Sequence, residues 1–159
     1  MEFSLGQVLA MVGAAVSAFL AGMGSAKGVG MAGQTNAGVS TENPEVNSKL
    51  LVLQLLPGTQ GIYGFLIAVI ILINTGVLGG TMKPVSIEQG LAFIAAVLPV
   101  AVVGFFSAVH QARVASAGML MVGEHPDMSG KAITMTVMVE TYAVLALLAS
   151  FLMVMAIKV

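Results

Sequence analysis

Four long apolar stretches alternate with three short polar breaks along the chain. The first runs from Leu5 to about Val39 and ends at Ser40-Thr-Glu-Asn-Pro-Glu-Val-Asn-Ser48, which has turn composition. The second runs from Lys49 to about Asn74, before the glycine-rich break Gly76-Val-Leu-Gly-Gly-Thr-Met-Lys-Pro-Val85. The third runs from Ser86 to about Val122, before Gly123-Glu-His-Pro-Asp-Met-Ser-Gly130, and the fourth completes the chain. Each is longer than the roughly 20 apolar residues a helix needs to cross hydrocarbon. Breaks this short make neighbouring helices antiparallel. The pattern predicts an all-α membrane protein of four transmembrane helices.

Composition agrees. Hydrophobic residues make up 58% of the chain and charged residues 8%, against about 25% charged in a soluble domain. The net charge of −1 gives no basic surface for nucleic acid. There is no cysteine, which excludes disulfides, thiolate catalysis and cysteine zinc sites. Nineteen glycines and no tryptophan indicate close helix packing without a tryptophan belt. The start, Met-Glu-Phe-Ser-Leu-Gly-Gln, has no positive n-region, so the first stretch is expected to be a retained helix and not a cleaved signal. Lys27, Lys49, Arg113 and Lys131 flank the first and third breaks, with only Lys83 and Lys158 on the other side. The positive-inside rule then puts 40–48 and 123–130 in the cytoplasm and both termini outside.

The chain also repeats itself. Ala26-Lys-Gly-Val-Gly-Met-Ala-Gly33 aligns with Gln111-Ala-Arg-Val-Ala-Ser-Ala-Gly118, and Leu55-Leu-Pro-Gly-Thr-Gln60 aligns with Val137-Met-Val-Glu-Thr-Tyr142. The expected organisation is two duplicated hairpins, 1–80 and 81–159, in one membrane domain and in the same orientation. Gly58 falls opposite Glu140, so only the second hairpin has an acid there. Small residues recur at every fourth place. They are Ala10, Ala14, Ala18, Gly22, Ala26 and Gly30 in the first helix, and Ala92, Ala96, Gly104, Ala108, Ala112 and Ser116 in the third, where Val100 interrupts. Such stripes let backbones approach closely in lipid. They fit a four-helix bundle and, more specifically, the crowded inner layer of a ring of copies.

Glu140 is the one charge between Lys131 and Lys158. A carboxylate within a membrane helix costs about 2.5–3.5 kcal/mol on insertion scales, so it needs a partner, a proton or a metal ion. In the second helix Leu56, Thr59, Gln60 and Tyr63 share a face. Pro57 frees a carbonyl on the preceding turn, and Gly58 removes bulk beside it. Alone, this is a proline kink with interhelical hydrogen bonds. Gln111 and His110, taken singly, are hydrogen-bonding or packing residues. With Glu140, however, Thr59, Gln60 and Gln111 make a set of hard oxygen donors of low charge, suited to a hard cation. One carboxylate balances a monovalent ion, Na⁺ or H⁺; a proton needs only the carboxylate. Gly28-Val-Gly-Met-Ala-Gly33 matches a dinucleotide fingerprint, but no strand precedes it. Lys27 lacks the Gly-Lys-Ser/Thr of a phosphate loop. Glu42, Glu45, Glu88, Glu124, His125 and Asp127 lie in or beside breaks and are expected to be solvated.

Gln54-Leu-Leu-Pro-Gly-Thr-Gln-Gly-Ile-Tyr-Gly64, Met138-Val-Glu-Thr-Tyr142 and Gly24-Ser-Ala-Lys-Gly-Val-Gly30 resemble the sixteen-kilodalton proteolipid of bacterial V-type ATPases, nearest its Na⁺-translocating branch. The resemblance covers essentially the whole chain. It implies an ion held by the carbonyl of Leu56 and the side chains of Thr59, Gln60, Gln111 and Glu140, with Tyr63 hydrogen-bonded to the carboxylate. It implies a rotor ring of identical copies in lipid, a static membrane subunit bearing an arginine, and a central stalk driven by ATP hydrolysis in other subunits. The chain itself is then not an enzyme. Three alternatives stand beside this reading: the same rotor carrying H⁺, a small secondary transporter, and a structural membrane pore.

Overall fold

The computed structural model describes residues 3–159. Met1 and Glu2, on which the expectation of a retained first helix partly rests, lie outside them. Four helical spans follow one another: α1 (Leu5–Glu42), α2 (Pro44–Asn74), α3 (Ile87–Glu124) and α4 (Pro126–Ala156). All four are long and apolar enough to cross a membrane, and the protein is a multi-pass membrane protein. At 1.5 Å per residue α1 and α3 reach about 57 Å, well beyond a hydrocarbon core of about 30 Å. Their polar ends therefore continue as helix into water.

That length revises two expected breaks. Residues 40–48 and 123–130 are not loops of that size. Helix runs through Glu42, leaves at Asn43, passes a 3₁₀ turn at Pro44–Val46 and resumes at Asn47. The second junction does the same through His125, Pro126–Met128 and Ser129. A residue before proline is pushed out of the helical region; Asn43 (φ −134°, ψ 84°) and His125 (φ −131°, ψ 84°) are the two that move. Proline in a first turn has no N–H to leave unpaired, so the next helix starts at once. The third connection is open: Gly76 and Gly80 take φ of +72° and +81°, a backbone that other residues rarely adopt.

Equivalent features lie 82 positions apart. Ser4 and Ser86 each cap a helix and close a reciprocal box with Gln7 and Gln89; Asn43 and His125 end α1 and α3 alike. This spacing keeps Gly58 opposite Glu140 but corrects the alignment of Ala26–Gly33 with Gln111–Gly118, which is three residues out of step. The repeat partner of Gln111 is Val29, and that of Ala26 is Ala108. Runs of small residues look alike at several registers, so a short match slides by nearly a turn.

The small-residue stripe of α3 faces inward, with Ala96, Val100, Gly104, Ala108 and Ala112 all buried. The stripe of α1 does not: Ala26 and Gly30 are exposed. Ala10 and Ala14 of that stripe are buried, but further along the buried line of α1 runs through Ala14, Ser17, Ala21, Gly24 and Gly28, stepping by three and four as contact along a long helix pair requires. Close approach is real there. A Cβ on Gly64 would collide with Ser17 O, and one on Gly24 would stand 2.5 Å from Phe105 Cα. In α3 a π turn at Pro99–Val103 interrupts the α-helix, and the Val100 N–H donates to Ser150 Oγ on α4 at 3.0 Å.

Hydrogen bonds gather the ends into two layers. Asn43 Nδ2 donates to Gly123 O (3.2 Å) and Lys49 Nζ to Pro126 O (2.9 Å), which joins the two short junctions at one end. Gln7 Nε2 donates to Lys83 O (2.9 Å) and Gln89 Nε2 to Lys158 O (2.7 Å) at the other. Between them lie two apolar clusters. One centres on Ile67, Ile71, Phe93 and Val97, the other on Leu50, Leu53, Met119 and Val122. A polar layer separates them.

Candidate ion-binding site

The polar layer forms where α2 is least regular. A 3₁₀ turn spans Leu56–Gly58 around Pro57, which lacks the N–H that a continuous helix would use. Pro57 sits in a notch on α1: a Cβ on Gly28 would be 2.8 Å from Pro57 Cβ. The N–H of Gly61 donates across to Ser25 Oγ at 2.8 Å, so α1 takes up a bond the turn disturbs. Gly58 is a different case. A Cβ there would meet only Val29 Cγ2 at 3.5 Å, an ordinary contact, so nothing within the protomer demands glycine at that position.

This turn aims Gln60 and Tyr63 toward α3 and α4. Tyr63 Oη donates to Glu140 Oε1 at 2.5 Å. Gln111 Nε2 donates to Thr136 O at 3.2 Å and to Glu140 Oε2 at 3.4 Å. Gln60 Nε2 donates to Gln111 Oε1 at 2.6 Å. Gln60 and Gln111 are fully buried, whereas Glu140 and Tyr63 are partly exposed. The chain of bonds sets both amide orientations. Gln111 must turn its nitrogen to the two acceptors, Thr136 O and Glu140, which leaves its oxygen for Gln60. Gln60 must then turn its own nitrogen to Gln111. Its oxygen, Oε1, is left buried with no hydrogen-bond partner.

An unpaired buried oxygen costs about 1–3 kcal/mol, and a cation would remove that cost. The remaining expected donors are close by in sequence. Thr59 Oγ1 donates to Leu56 O at 3.0 Å, and the Thr59 N–H bonds the same carbonyl. Leu56 and Thr59 thus form a local pair of oxygens; their bonds run to each other and not to Glu140. Among the described residues no group of three or more His, Cys, Asp or Glu could hold a metal. Any cation here would rest on one carboxylate and neutral oxygens.

Four further side chains shape the layer without having been singled out from the sequence. Ser25 caps the opened turn. Ser107 Oγ donates to Val139 O at 3.2 Å beside the acid. Thr136 Oγ1 donates to Ala132 O at 2.8 Å, while its carbonyl anchors Gln111. Ser150 serves the π turn. Each is a small hydroxyl on an apolar helix, a signal too common in membrane helices to single one out.

Duplicated hairpins around one membrane-buried carboxylate define an ion-carrying proteolipid. Residues 12–71 and 94–153 each match the family of the ATP synthase C subunit, and the chain belongs to that family, with two copies of its unit. It is a membrane rotor subunit of a rotary ATPase and does not itself hydrolyse ATP. It is 45% identical over 150 residues to the V-type sodium ATPase subunit K of Enterococcus hirae, covering 94% of this chain and 92% of that one. It is 39% identical over 146 residues to the A-type ATP synthase subunit K of Methanocaldococcus jannaschii, covering 92% of this chain and 61% of that one.

Proposed function

We propose that this rotor protein carries Na⁺, held by the carboxylate of Glu140, the side chains of Gln60, Gln111 and Thr59, and the carbonyl of Leu56. The observation that carries the reading is Gln60 Oε1, buried and unpaired beside the amide that reaches the acid. A proton on Glu140 would leave that oxygen as it is, whereas a hard cation would use it. The name of the Enterococcus hirae relative, a sodium ATPase subunit, supports the same choice. Tyr63 steadies the carboxylate through its hydroxyl; Pro57 and Gly58 lie in the turn that carries Leu56 O, which the Thr59 N–H and hydroxyl hold.

In the mechanism, a loaded site is neutral and faces lipid. After the ion leaves, the carboxylate is charged and is paired by an arginine of a static membrane subunit. Rotation of a ring of identical copies moves ions between two half-channels, and a central stalk brings in the torque. Moving one charge against 100 mV takes about 2.3 kcal/mol, supplied by ATP hydrolysis elsewhere. Residues 1–80 and 81–159 act as two hairpins of one domain, with the 40–48 and 123–130 ends cytoplasmic and the termini outside.

Carbodiimide labelling of Glu140 tests the ion. Millimolar Na⁺ at neutral pH is expected to protect the carboxyl, with K⁺ at the same concentration giving no protection. Labelling indifferent to Na⁺ would make the rotor a proton carrier.

A further inference from the structure

The turn that carries the acid is held almost without apolar packing. α4 is the least buried of the four spans. Its buried residues come every three or four places, at Ala132, Thr136, Ala143, Ala146, Ser150 and Val154. The one missing step falls at Val139 and Glu140, and none of residues 137–142 is buried. Polar bonds fill the gap. From α3, Gln111 Nε2 donates to Thr136 O and Ser107 Oγ to Val139 O, both at 3.2 Å. Ser107 and Gln111 stand four residues apart and so share a face of α3. Both carbonyls lie in the turn just before Glu140, so these two bonds place the backbone, while Tyr63 and the second bond of Gln111 hold the carboxylate itself. Loading a cation would draw on the amide oxygens of Gln60 and Gln111 and rearrange their bonds. The Ser107 bond involves neither the acid nor any of those oxygens, so it can persist in the loaded and the empty state.

The repeat carries the same device in a second form. Ser25, the repeat partner of Ser107, accepts from the Gly61 N–H of α2 at 2.8 Å. In a regular helix that N–H would pair with Pro57 O, and Pro57 is the repeat partner of Val139. Each serine thus engages the same peptide link of the helix that follows it, from the donor side in the first hairpin and from the acceptor side in the second. In the first hairpin the link opens into a 3₁₀ turn; in the second α4 runs through it unbroken. We propose that Ser107 is a positioning residue, which fixes the α4 backbone at Val139 and so keeps Glu140 in reach of Tyr63 and Gln111. The inference rests on the reading that Glu140 holds the ion, and adds to it a side chain outside the ligand set that governs how tightly the ion is held.

Carbodiimide labelling of Glu140 in membranes, titrated with Na⁺, tests this. Ser107→Ala is expected to raise the Na⁺ concentration that gives half-protection about 2- to 10-fold, the range for one lost hydrogen bond. Ser107→Thr keeps the hydroxyl and should restore the native value. Ser150→Ala also removes a bond between α4 and α3, but at the π turn; it should lower the melting temperature and leave half-protection where it was. An unchanged value in Ser107→Ala, or an equal rise in Ser107→Thr or Ser150→Ala, overturns the positioning role. Native labelling that ignores Na⁺ removes the sodium reading alone. The pH of half-labelling is then the measure, and Ser107→Ala should displace it while Ser107→Thr and Ser150→Ala do not; one midpoint shared by all three variants and the native protein overturns the role of Ser107.

Discussion

Tyr63 and Gln111 each donate a hydrogen bond to Glu140. Tyr63→Phe removes a hydrogen bond to a charged group, a type worth about 1.5–3 kcal/mol. Na⁺ affinity, read by sodium protection against carbodiimide, should therefore fall about 10- to 100-fold at 1.4 kcal/mol per factor of ten. Gln60→Leu keeps the bulk and removes the unpaired oxygen. It is expected to weaken Na⁺ protection strongly while the ring still assembles; unchanged protection would remove Gln60 from the ligand set. Glu140→Gln should abolish transport in reconstituted vesicles with assembly intact. Much of this group was legible in the sequence. Periodicity puts four positions on one face of α2 and hydropathy singles out a lone acid in α4, but which of them meet depends on how the helices are rotated, which periodicity leaves open. The Leu56 carbonyl was not legible from residue types, because a backbone oxygen has no letter. That the Thr59 hydroxyl closes on it needed coordinates.

At the scale of the helix, glycines divide into those that let two backbones meet and those that do not. Gly64→Ala should lower the thermal stability of the solubilised protein by about 1–3 kcal/mol, the usual cost of overpacking, because Ser17 O and Ala21 Cβ lie within 2.5 Å of the added carbon. Gly130→Ala meets nothing and should be neutral or gain up to about 1 kcal/mol from helix propensity. Equal effects from the two would show that Gly64 is not a point of contact. Ser150→Ala strands the Val100 N–H at the π turn and should cost about 1–3 kcal/mol, read in the same melt. The four spans were legible because hydropathy over 20 residues is hard to imitate. The ends of α1 and α3 were not, since polar composition marks where lipid stops, while these two helices stop only where proline distorts Asn43 and His125. The π turn was hidden for a related reason: Pro99 sits in an unbroken apolar run, and Ser150, which rescues the backbone, is half a hundred residues away in sequence.

At the scale of the whole molecule, the proposed sodium site would couple ion binding to folding. A ligand that binds only the native state stabilises it by about 2.7 kcal/mol at a hundredfold excess over Kd. Adding Na⁺ to ion-depleted protein should therefore raise its melting temperature, and K⁺ should not. Abolition of that rise in Glu140→Gln would tie the gain to the site; its persistence there would locate the sodium effect elsewhere.

If Glu140 is the loading site, as proposed, glycine at position 58, where the repeat has glutamate at 140, sets the gearing of the machine. A ring of such chains has one loading position for every two hairpins, so a full revolution delivers half the charge that the same girth could carry with an acid in each hairpin. For a given work input per revolution, each ion is then lifted against about twice the electrochemical step. The chain exchanges throughput for the height of the gradient it can sustain.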